Sequence, residues 1–166
     1  SVVSFISFTS FFFSWKSDQS FLADSNWEDY AEELGEVKNA MGYLGARWSY
    51  TMIHNGFGLA AFAILPYLVF SGLYMLLNFR PFSLLRILLH TLIFMTWFSL
   101  FLGFVFQNWA PLLGGSFGYF GIQQLQTGVG IIGAFVFLAV FAFLYYWIIV
   151  NANPFESLQM KAAQIE

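Results

Sequence analysis

A chain of 166 residues that is 59% hydrophobic and 22% aromatic, with only 9% charged residues, cannot clothe a soluble domain in charge. Ordinary globular proteins carry roughly 25% charged residues, so the solvent for much of this chain is lipid. A net charge of −3 without a Lys/Arg cluster excludes sequence-independent nucleic-acid binding by these residues, and the absence of cysteine excludes disulfides and thiolate metal sites.

Residues 1–14 are uncharged and rich in Phe, Ser and Val. As a helix they reach about 20 Å, short of a hydrocarbon core of about 30 Å. They lack the basic start and small-residue cleavage site of a signal peptide. The expectation is the outer part of a first spanning helix that begins upstream of Ser1. Trp15 and Lys16 suit the headgroup level, and Ser17 to Ala23 then leaves the membrane.

Residues 25–41 read as an acidic outer helix. Ser25 and Glu28 fit a capping box, in which each side chain satisfies a backbone N–H at the helix start. Trp27, Tyr30, Leu34, Val37 and Met41 recur at helical spacing, while Glu28, Asp29, Glu32, Glu33 and Glu36 mostly take the remaining positions. The apolar stripe is expected to rest on the membrane or on a neighbouring subunit. The alternative is an acidic docking face or cation site, although the glycine turn of a calcium loop is missing. Trp27, Glu32, Glu36 and Arg47 are the candidate partner or lipid contacts.

Residues 42–55 form an interfacial segment rich in glycine and aromatics. It turns through Gly56-Phe57-Gly58 into a second span, 56–77, which carries no formal charge. Pro66 is expected to kink that span, because it removes a backbone donor and crowds the preceding turn. A tight link, Asn78 to Ser83, precedes a third span at 84–106, where Arg86 can snorkel. Residues 107–128 are uncharged and glycine-rich, an outer surface segment. A fourth span, 129–150, ends in the interfacial aromatics Tyr145, Tyr146 and Trp147. Residues 151–166 leave as a polar tail. Arg80 and Arg86, close together, place the 78–86 link and the tail in the cytoplasm by the positive-inside bias. Both termini are then cytoplasmic, and both glycine segments lie outside. The fold class expected is an all-α integral membrane protein of four transmembrane helices, arranged as two consecutive hairpins with outer-face interfacial helices.

The two hairpins share a pattern. Gly42-Tyr43-Leu44-Gly45 precedes Gly56-Phe57-Gly58, and Gly115-Ser116-Phe117-Gly118 precedes Gly128-Val129-Gly130. Glycine permits a sharp turn from surface to span, and small residues let backbones approach in a bilayer. Gly42, Gly45, Ala46, Gly56, Gly58, Ala61, Gly115, Gly118, Gly128 and Gly130 are therefore expected to set helix entry and packing.

No catalytic, cofactor-binding or metal-ligating constellation is legible. His54 and His90 read as interfacial or packing histidines, and all nine acids lie in the first outer connection and the tail. That distribution disfavours a proton-coupled pump or a cation channel.

Trp15-Lys16-Ser17-Asp18-Gln19-Ser20, Gly42-Tyr43-Leu44-Gly45-Ala46, Gly56-Phe57-Gly58-Leu59-Ala60-Ala61 and Gly114-Gly115-Ser116-Phe117-Gly118 occur in that order. In this order the chain resembles the N-terminal four-helix membrane domain of the FtsK/SpoIIIE family of DNA translocases. The first group looks like the family's Ser/Asp-rich exit, the second like its N-x-x-G-x-x-G-A segment. The third looks like its F-G-x-x-A helix entry and the fourth like its G-G-x-x-G. The acidic 25–41 helix maps onto no shared motif.

The resemblance implies a non-catalytic anchor and assembly module in the bacterial inner membrane. It would tether a cytoplasmic ring-forming ATPase that links cell division to chromosome segregation. It further implies lipids, copies of the same chain and other division-site membrane proteins as partners, with no direct nucleic-acid contact. A G-x-x-x-x-G-K-[ST] phosphate loop does not occur here, so no nucleotide cofactor is expected on these residues. Two other readings stay open. One is a free-standing membrane scaffold subunit docked through the acidic helix. The other is a small neutral-solute transporter, which would need a polar path past Thr91, Thr96 and Ser99; its two halves, however, share one orientation, unlike common inverted repeats.

Overall fold

The computed structural model describes residues 2–24, 37–77 and 83–151. In chain order these form α1 (Val2–Asp24), α2 (Gly42–Ser49), a π-helix (Tyr50–Phe57), a 3-10 helix (Gly58–Ala63), α3 (Ile64–Leu77) and α4 (Leu84–Phe106). A short 3-10 turn (Pro111–Leu113) then leads into α5 (Gly115–Asn151). Among the described residues there is no strand. Lipid cannot satisfy exposed backbone polar groups, so an apolar chain buries them in helical hydrogen bonds.

Three helical stretches are long and apolar enough to cross a membrane: Gly42–Leu77, Leu84–Phe106 and Gly115–Ile149. Val2–Ser14 is a shorter apolar helix. The α1 backbone continues past that apolar stretch to Asp24, because no glycine or proline follows Ser14 to stop it. Two of the three long stretches are broken by glycine. Gly56 leaves helical geometry at φ −103° and ψ −123°, and Gly130 interrupts α5 at φ 75° and ψ 171°. Beyond each break roughly 20 residues remain, about the length that spans a hydrocarbon core.

Large apolar side chains cover the outside. Phe70 and Leu73 of α3, Leu85 and Leu89 of α4, and Ile132, Phe135 and Phe143 of α5 are all exposed. In water such a surface would aggregate, whereas against acyl chains it costs nothing. The interior holds two clusters. One joins Phe8 and Phe11 of α1 to Ile53, Ala61 and Leu65. The other gathers Ile122, Ala134 and Leu138 of α5, with Trp97, Leu100 and Phe104 of α4 packed on them. The Trp97 indole donates to the Leu138 carbonyl at 3.0 Å, pinning α4 to α5.

Two expectations change. The acidic helix is expected to run to Met41, but Val37 and Lys38 are not helical and Asn39 to Met41 is a bend and turn. Asn39 Oδ1 accepts from the Met41 amide at 3.0 Å, and the Gly42 amide donates to the Asn39 carbonyl at 2.8 Å. This local turn competes with helix continuation. Pro66 also does not sit mid-helix. It falls in the first turn of α3, directly after the 3-10 helix, where a missing N–H costs little. The rest of the acidic helix, with Trp27, Glu32 and Glu36, lies outside the described residues, as do Arg80 in the link and residues 152–166 of the tail.

Candidate functional site

Four glycines adopt the left-handed conformation: Gly42, Gly58, Gly115 and Gly130, with φ of 63°, 63°, 64° and 75°. Their positions are regular. Gly42 opens α2 and Gly58 closes the π-helix, while Gly115 opens α5 and Gly130 breaks it. Each pair thus brackets one glycine-rich segment. The first bracket is one residue longer, and it alone contains a π-helical stretch, Tyr50–Phe57. A π-turn is how a helix absorbs one inserted residue.

The brackets meet inside the chain. A Cβ on Gly58 would strike the Leu113 carbonyl and lie 2.5 Å from the Gly115 amide nitrogen. A Cβ on Gly115 would strike the Gly56 carbonyl and the Gly58 nitrogen. The Ser116 hydroxyl donates to the His54 carbonyl at 2.8 Å. The Phe57 and Phe117 rings stand 5.1 Å apart across the same contact. The closing end of the first bracket is therefore seated on the opening end of the second.

Each bracket also lies on the long helix before it, through a glycine facing a serine. A Cβ on Gly45 would come within 2.8 Å of Ser7 Oγ on α1. A Cβ on Gly118 would strike the Ser99 carbonyl on α4 and lie 2.9 Å from its Oγ. Gly103 and Gly114 continue the second contact, with a Cβ on Gly114 only 2.8 Å from the Gly103 nitrogen. Association in lipid depends on such close packing, because burial of apolar surface supplies no driving force there.

Buried hydrogen bonds fix both contacts. Asn39, 4% exposed, donates from Nδ2 to the Ser7 carbonyl at 3.1 Å and, more weakly, to Ser49 Oγ at 3.4 Å. The Ser49 hydroxyl, fully buried, donates to the Gly45 carbonyl at 2.7 Å. In the second half the Ser99 hydroxyl donates to the Gly114 carbonyl at 2.7 Å. Sequence reasoning singled out neither Asn39 nor this role for Ser7, Ser49 and Ser99. Asn39 had a signal, standing three residues before Gly42 and six before Gly45, as in N-x-x-G-x-x-G-A. The serines had none, since their role appears only when two helices are brought together.

The remaining expected residues are placed as follows. Ala46 and Ala61 are buried. Gly128 and Gly130 have no described atom within 4 Å of a Cβ position, and neither has Gly42. Arg47 lies exposed on α2, its guanidinium donating to the Tyr43 hydroxyl at 3.2 Å. His54 stacks on Tyr50 with ring centroids 4.7 Å apart. His90 Nδ1 lies 3.2 Å from the Tyr145 hydroxyl, linking α4 to α5. Among the described residues no three His, Cys, Asp or Glu side chains gather. The site packs backbones together, and that is its chemistry.

No curated protein and no solved structure shows significant similarity to the chain. A family model does, over almost the full length. It describes the 4TM region of DNA translocase FtsK/SpoIIIE and matches residues 1–158, so the chain belongs to that family and is its membrane domain rather than its ATPase part.

Proposed function

We propose that these residues are the non-catalytic membrane anchor and assembly module of an FtsK-like DNA translocase, which links cell division to chromosome segregation. The observation that carries this reading is the family match across residues 1–158. The apolar helices support it, and so does the lack of a G-x-x-x-x-G-K-[ST] phosphate loop in the sequence. In this reading α1 supplies the first of four spans. The spans form two consecutive hairpins in the bacterial inner membrane, with both termini cytoplasmic and both glycine brackets on the outer face. The glycines set helix entry and packing. Lipids, copies of the chain and other division-site membrane proteins are the partners, and Arg47 faces lipid phosphate or a partner. The motor, rather than this domain, contacts DNA and nucleotide.

The native reading frame provides the test. It is expected to continue past Glu166 through a linker into a phosphate-loop motor. A stop codon close to Glu166 would overturn the proposal in favour of a free-standing scaffold subunit.

A further inference from the structure

The two brackets offer two opening ends and two closing ends, and among the described residues one of each is joined. Gly58, closing the first, is seated on Gly115, opening the second. Gly130, closing the second, and Gly42, opening the first, are exposed, with no described atom within 4 Å of a Cβ position on either. All four have a positive φ, between 63° and 75°.

The neighbours of these glycines correspond as well. Phe57 precedes the closing Gly58, and Phe117 follows two residues after the opening Gly115; their rings meet at 5.1 Å. Val129 precedes the closing Gly130, and Leu44 follows two residues after the opening Gly42. Both stand open: Val129 is 57% exposed and Leu44 79%, against 42% for Phe117 in the joined contact. Exposed apolar side chains alone would say little in a lipid-facing protein. The internal contact adds the missing specification, because it shows what a closing glycine end accepts: an opening glycine end with an apolar side chain two residues on.

We infer that the Gly130 end of one copy seats on the Gly42 end of the next, with Val129 against Leu44, repeating between chains the glycine and apolar part of the contact that joins the two halves within one. Tyr43 stands where Ser116 does, so the Ser116–His54 hydrogen bond has no counterpart there. With both brackets on the outer face, as proposed above, a second copy reaches this contact by moving in the membrane plane. The interface is head-to-tail, with different patches on the two sides. Repetition therefore closes into a ring or extends as a row, and a two-fold dimer does not form through it. The inference rests on the assembly role proposed above and names the surface that performs it.

Residues 1–166 contain no cysteine, which makes disulfide trapping clean. In the full-length protein freed of any cysteine elsewhere, L44C and V129C are made separately and together, and native membranes are oxidised with copper–phenanthroline. F57C with F117C serves as the within-chain control for oxidant access at this level. Co-expressed L44C and V129C chains are expected to shift from monomer to dimer, the double variant to form a ladder, and each single variant alone to stay monomeric. A 44–129 yield no greater than that of L44C with L76C, with the control forming, would overturn the inference. So would dominant 44–44 trapping, which marks a two-fold contact. If native gels show multimers while 44–129 trapping fails, this surface is wrong and the assembly role stands. If the protein is also monomeric on native gels, the assembly role falls with it.

Discussion

Gly58→Ala is expected to destabilise the domain by about 2–6 kcal/mol and to destroy its monodispersity in detergent. Two costs combine. At φ 63° and ψ −136° any side chain other than glycine's pays about 1–3 kcal/mol for the backbone conformation. The new methyl also occupies space held by the Leu113 carbonyl and by the Gly114–Gly115 backbone, with Gly114 C only 2.6 Å away. A flexible side chain could yield at small cost, but these are backbone atoms tied into the start of α5. Overpacking of that kind typically adds about 1–3 kcal/mol. Gly130→Ala isolates the first cost. Its φ is 75°, yet no described atom lies within 4 Å of the Cβ position. Thermal unfolding of monomeric detergent preparations, followed by size-exclusion chromatography, should therefore show a clearly larger loss for Gly58→Ala than for Gly130→Ala. Equal losses would mean that the approach of the two brackets contributes nothing.

Asn39→Leu is expected to cost about 2–4 kcal/mol, although leucine nearly matches asparagine in size. The amide side chain donates to the Ser7 carbonyl on α1 and accepts from the Met41 amide at 3.0 Å. Leucine leaves that amide without its acceptor at the turn that launches α2, and it unties α2 from α1. Removing one partner of a buried hydrogen bond costs more than the bond itself was worth, because the other partner remains desolvated. Faster hydrogen exchange at Met41 and Gly42, with α4 and α5 protected as before, is the expected signature. Unchanged exchange at both amides would show that the glycine contact alone holds the turn.

The parts of this architecture that were legible beforehand are those that a single residue type enforces. Lipid as solvent follows from 9% charged residues. The left-handed positions fall on glycines in the paired motifs because other residues avoid that conformation. The α4 helix spans 84–106, matching an apolar run bounded by the polar Ser83 and Gln107. Composition could not show which glycines meet. That Gly58 lies on Gly115 rather than on Gly42 depends on how four long helices cross, and the apolar pattern is nearly uniform around each of them. The π-helix at Tyr50–Phe57 has no signature of its own; only the extra residue in the first bracket hints at it. Residues 37–41 read as helix because Val37 and Met41 continue the helical spacing, whereas Asn39 between them turns the chain through its own side chain. Ser7 and Ser99 looked like ordinary serines in apolar helices, and gain meaning only against Gly45 and Gly118.

Partition of the proposed translocase with and without residues 1–158 measures whether they anchor it. Cells carry either the full-length protein or a version lacking residues 1–158, each with a fluorescent tag at its C-terminus, and are imaged and fractionated. The full-length protein is expected to sediment with the inner membrane and to collect at the division site, and the shortened protein to be soluble, spread through the cytoplasm and still able to hydrolyse ATP. A shortened protein that remains on the membrane and at the division site would contradict the anchoring role.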